Sequence, residues 1–71
     1  MKRKRNKVHD PYNIFKGWLR GNSLKYEDIA ELLGIRIGTV SDKINGLSDF
    51  YLYEIEKIIT EYGTSYDIFF N

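Results

Sequence analysis

A glycine set between two short apolar runs constrains this chain more than any other feature. In ELLGIRIGTVSDKING, residues 31–46, Gly34 closes a run that carries Ile29, Leu32 and Leu33 on one side, and a second run with Val40 and Ile44 on a common face begins three residues later. Spacings of three and four mark one stripe of a helix. A glycine just past such a stripe suits the left-handed C-terminal position that other residues adopt only at a cost. Two short helices, about Tyr26–Leu33 and Ile37–Asn45, are therefore expected around a tight turn, with Ala30 as the small residue at their inner contact. Gly46 ends the second.

The flanks follow the same periodicity. Asp10 before Pro11 reads as a helix start, Asp accepting from the orphan amides and Pro losing no amide at the first position. The spacing predicts a helix over 11–20 with Ile14, Phe15, Trp18 and Leu19 as its apolar stripe, and Gly21, Asn22 and Ser23 as its breaker. Glu27 and Asp28 sit in the first turn of the next helix, where the dipole favours anions. After a loop over 47–49 the longest amphipathic stretch carries Leu52, Ile55, Ile58, Ile59 and Tyr62, with Glu54 and Lys57 as an outward i, i+3 pair and Gly63 as its stop. Ile68, Phe69 and Phe70 are expected to pack a last helical turn on the core. No alternation persists long enough for a strand and no repeat is present, so the class is all-α.

Composition narrows the functions. At 71 residues the chain has room for one small core, and 30% charged with 42% hydrophobic residues is a globular balance. There is no cysteine, and the lone His9 has no second imidazole beside which to hold a metal, so no metal, cofactor or redox role is expected. His9 itself reads as an exposed linker residue. No apolar run reaches the roughly 18 residues of a membrane span and no signal-peptide segment opens the chain, which points to a cytoplasmic protein. Residues 1–7, MKRKRNK, hold five of the eleven Lys and Arg and no acid, leaving six against all ten Asp and Glu in the rest. The organisation is a flexible basic arm, residues 1–9, on a mildly acidic domain, residues 10–71. Within the arm Lys2, Arg3, Lys4, Arg5 and Lys7 can follow phosphates or enter a minor groove, or they can serve solubility alone. Glu27, Asp28 and Glu31 are explained by the helix start, and no nucleophile with an adjacent base and no phosphate-cradling glycine loop is present, so an enzyme is not expected and no small-molecule substrate is evident.

With those residues in hand, LKYEDIAELLGIRIGTVSDKING resembles the helix-turn-helix of small phage-associated XRE-like, Cro-like proteins of the lambdoid repressor family. The steps Thr39-Val40-Ser41, then Lys43-Ile44-Asn45-Gly46, then Ser48-Asp49-Phe50, and the closing Ile68-Phe69-Phe70, carry the likeness over about residues 11–70. The resemblance implies a compact five-helix bundle with a central helix-turn-helix, acting in a bacterial host cell as a homodimer on a double-stranded DNA operator. It implies that Tyr26 faces a phosphate at the start of the second helix, and that Ile37, Gly38, Thr39, Ser41 and Asp42 lie on the reading helix. Arg36, Lys43, Asn45 and the amide of Gly46 would lie over the backbone. Bidentate readout uses Arg or Lys for guanine and Asn or Gln for adenine, whereas Ile37 and Gly38 offer only apolar contact. Lys43 falls where such motifs often carry an apolar residue; it reads as a phosphate clamp or as a lysine snorkelling along its helix.

The expected function is thus a sequence-specific transcriptional regulator, Cro-like or repressor-like, from a phage or prophage, that acts by occupying its operator. The alternative is an antirepressor or modulator that binds a cognate phage repressor protein instead of DNA, favoured by the acidic body and by Ile37 and Gly38. Tyr12, Phe15 and Trp18 read as core. Tyr51 and Tyr53 interleave with Leu52 and Ile55 and should point partly outward, forming with Phe69 and Phe70 a candidate protein interface.

Overall fold

A computed structural model describes residues 7–70, and over them the chain is all-helical. In order come α1 (Asn13–Gly21), α2 (Tyr26–Leu33), α3 (Ile37–Asn45), α4 (Leu52–Tyr62) and a closing 3-10 turn (Tyr66–Phe69). The fifth segment is one 3-10 turn rather than a full helix. Among the described residues no helix is long and apolar enough to cross a membrane.

Three of the four helices end where glycine ends them. Gly34, Gly46 and Gly63 all adopt the left-handed conformation, and each returns its amide to the last turn. At Gly46 the requirement is double, because a Cβ there would also collide with the backbone oxygen of His9. The starts of α2 and α4 share another device: the carboxylates of Asp28 and Glu54 accept the backbone N–H of Lys25 (2.7 Å) and Tyr51 (2.9 Å). Each satisfies one of the orphan amides of a helix N-terminus.

The start of α1 departs from the sequence reading. Asp10-Pro11 does not open the helix; Tyr12 caps it without a side-chain bond, and its N–H donates to the carbonyl of Ile44 (2.9 Å). Just before it, the N–H of Val8 donates to the carbonyl of Gly46 at 2.6 Å. This stretch is spent on pairing with the end of α3, so the helix begins only at Asn13. The boundary of the arm moves accordingly, since Val8 and His9 belong to the folded part. His9 is no exposed linker residue: its ring stacks on Tyr12 (centroids 4.2 Å apart), and its nitrogens face the carbonyl oxygens of Asp10 (2.6 Å) and Ser48 (2.8 Å). The cations at Lys2, Arg3, Lys4 and Arg5 lie outside the described residues, and Lys7 is exposed.

The core is built from Phe15, Leu19, Ile29, Ala30, Val40, Ile44, Phe50, Ile58, Ile68 and Phe69, with Tyr12 at its margin. Phe15 stacks on Phe69 at 4.9 Å between centroids, and Phe50 meets both rings edge-on. Such pairs add about 0.5–1.5 kcal/mol each beyond the area they bury. Three apolar expectations fail at the surface. Ile14 is exposed because Tyr12, not residue 14, shares the inward face with Phe15 and Leu19; Leu52 is 63% and Phe70 60% exposed. In α4 the inward row is Glu54, Ile58 and half-buried Tyr62, four residues apart, which turns Leu52 outward.

Glu54 is therefore not paired outward with Lys57. It is 2% exposed, and one of its carboxylate oxygens takes the Lys43 ammonium at 2.9 Å. Lys43, 5% exposed, also donates to the carbonyl of Asp49 (3.0 Å) and stands 4.3 Å from the ring centre of Tyr51. Removing one partner of a buried pair strands the other charge, at a cost of about 3–5 kcal/mol. Tyr12 closes the same region by donating its hydroxyl to Asp49 (2.5 Å). Burial first, then the hydrogen bond to Asp49 and that carboxylate's charge, push the phenol well above its ordinary value.

Candidate nucleic-acid interface

The α2–α3 pair combines a tight glycine turn with an exposed start to its second helix. Gly34 turns the chain at φ +69°, Ile35 N–H donates back to the carbonyl of Ala30 (3.0 Å), and Arg36 stands at the N-cap of α3. Val40 and Ile44 anchor α3 with no exposed surface. Its first turn points away from them: Arg36, Ile37 and Gly38 are exposed, and Thr39, Ser41 and Asp42 are half-buried behind them. Ile37 is 52% exposed although it is β-branched and apolar. Tyr26, the first residue of α2, is half-buried.

The end of α3 is different, and it overturns part of the expected backbone contact. Lys43 cannot serve as a phosphate clamp, because its ammonium is buried against Glu54, Asp49 and Tyr51. Its position three residues after Val40 and next to Ile44 puts it on the inward face, where the pair with Glu54 makes burial tolerable. The amide of Gly46 is also committed, donating to the carbonyl of Asp42, while its own carbonyl accepts from Val8 and His9. Asn45 uses its amide nitrogen inside α3, on the carbonyl (2.9 Å) and hydroxyl (3.2 Å) of Ser41.

A cationic feature absent from the sequence reading lies at the other edge of the pair. Lys16 and Arg20, one turn apart on α1, line a shallow cleft of about 250 Å³ with Leu19, Leu24 and Tyr26. Two cations and a phenol lining one cleft are donors suited to an anion such as a phosphate oxygen. The i, i+4 spacing of Lys16 and Arg20 was visible; their neighbour Tyr26 comes from another helix and was not. Glu27 and Glu31 are exposed on α2, and Lys25 and Arg36 are exposed just before α2 and α3.

Of the residues expected at a protein interface, Phe69 is buried and unavailable. Tyr51 and Tyr53 are exposed and stack on each other, 5.7 Å apart and nearly parallel at 12°, with exposed Leu52 between them in sequence. Among the described residues no group of three or more His, Asp or Glu side chains is placed to hold a metal. Comparison of the chain with family models, with curated proteins and with solved structures finds no match.

Proposed function

We propose that the chain is a sequence-specific DNA-binding regulator of transcription, in which α2 and α3 act as a helix-turn-helix of the XRE-like, Cro-like kind and control a promoter by occupying it. The single observation that carries this reading is the division of α3: a helix held rigidly by its inner face and its end, after a tight glycine turn, whose first turn is left open to solvent. A reading helix of this motif enters the major groove with its N-terminal residues toward the bases. Arg36 and the Lys16–Arg20–Tyr26 cleft hold the flanking phosphates, and the basic residues before Val8 add sequence-independent attraction. The chain acts as a homodimer on a two-fold operator.

Selection from a random duplex pool, followed by fluorescence anisotropy at several salt concentrations, tests this. The reading predicts one enriched sequence bound roughly 10³-fold or more above a scrambled duplex. Equal, weak binding to every duplex, lost in moderate salt, would sink it.

The exposed, mutually stacked Tyr51 and Tyr53 with Leu52 favour a second reading, a module that docks on a cognate repressor protein. That reading predicts comigration with such a repressor and no enriched duplex.

A further inference from the structure

We propose that the first turn of α3 reads a thymine through its 5-methyl group, Ile37 supplying the apolar contact and Gly38 the clearance; the inference rests on the DNA-binding reading above.

Two consecutive residues of this turn break local rules with no return inside the fold. Ile37 is exposed at a place where a polar residue would suit water better, and it takes no part in the core. Gly38 lies in a helix, where glycine is among the weakest formers. Its backbone is not in the left-handed region, and a Cβ built on it would meet nothing within 4 Å. Neither conformation nor internal packing asks for glycine there. The surface it leaves bare is the surface a ligand would approach, and glycine lets a ligand come up to the backbone itself.

The chemistry of the pair then selects the base. Neither side chain donates or accepts a hydrogen bond. The major-groove edges differ in donors, in acceptors and in one alkyl group, the thymine methyl. An alkyl side chain gains only against that methyl; against guanine, adenine or cytosine it would cover polar groups and leave them unpaired. The side chains of Ile37 and Gly38 carry no charge; Arg36 stands just before them, and Lys16 and Arg20 line a cleft with Tyr26 at the start of α2. On this reading charge meets phosphate while the uncharged pair meets the bases.

The test uses the full chain and the duplex it enriches from a synthetic pool free of methylated cytosine. Each thymine is replaced in turn by deoxyuridine, which removes only the methyl, and anisotropy is read for wild type, Ile37→Ala and Gly38→Ala. Uracil at one thymine should weaken wild type about fourfold, the factor for one methyl group lost from a buried contact, and Ile37→Ala should be indifferent to that swap. Gly38→Ala should raise the melting temperature and yet weaken binding, a pairing that a merely structural glycine would not produce. Uracil tolerated at every position by wild type, on a duplex still bound specifically, would overturn the methyl contact and leave DNA reading in place. A pool from which no duplex is enriched would overturn both.

Discussion

The two ends of α3, a helix of nine residues, are built on opposite terms. At its end, Lys43, Asn45 and Gly46 have every polar group named above turned inward, onto Glu54, Asp49, Ser41, Asp42 and the incoming segment at Val8 and His9. At its start, Arg36, Ile37 and Gly38 are exposed. A small domain has stability to spare for few irregular features. The contrast teaches that the buried charge belongs to the scaffold, and that the chemically plain first turn is where an outside partner has room.

The comparison is broken most forcefully at the buried pair. Lys43→Ala strands Glu54 and should cost about 3–5 kcal/mol, enough to unfold much of a domain this size, as read by chemical denaturation. Lys43→Met combined with Glu54→Gln removes both charges and should recover most of that loss. Because the Lys43 ammonium is buried against Glu54, the double variant should also keep the salt dependence of the proposed DNA binding. A flattened slope there would restore Lys43 as a backbone contact.

Gly46→Ala comes next. It combines a left-handed backbone with a Cβ that collides with the His9 oxygen, so the loss should be about 2–4 kcal/mol, seen as a lower melting temperature. Gly63→Ala has the same backbone penalty with no atom within 4 Å of the Cβ, and it should lose only the first part. Equal losses would mean that the Val8–His9 segment yields freely.

A smaller effect sits at Tyr12. Its phenol is held neutral in the fold by burial and by the bond to Asp49, so its folded value lies above the ordinary 10.0. A raised value contributes stability that is complete below the unfolded value and is lost as pH climbs past it. Stability should therefore fall above about pH 10, and Tyr12→Phe should remove this share of the alkaline loss while costing about 1 kcal/mol near neutrality. Matching alkaline curves for the two proteins would contradict it.

Much of the scaffold was legible because its signals are local. The bounds of α2 and α3 follow from apolar spacing and a glycine after each, with no help from the rest of the chain. α1 was found, and only its start moves from about Pro11 to Asn13, because the stretch before it is paired with Ile44 and Gly46, more than thirty residues on. Glu54 lies four residues before Ile58 and so on the inward row, yet a lone carboxylate belongs in water until its partner is known, and Lys43 is eleven residues away on another helix. At the candidate site, Ile37 and Gly38 stood out in sequence as poor hydrogen-bonding residues. Their exposure, and the cleft formed by Lys16 and Arg20 with Tyr26, depend on how three helices are set together.

The most direct measurement compares Ile37→Glu with wild type for melting temperature and for anisotropy on the enriched duplex. Ile37 contributes nothing to the core, so melting should move by no more than about 0.5 kcal/mol equivalent. Placing a carboxylate on the turn proposed to read DNA should instead abolish specific binding. Specific binding at wild-type affinity by a folded Ile37→Glu protein would show that the first turn of α3 does not touch DNA.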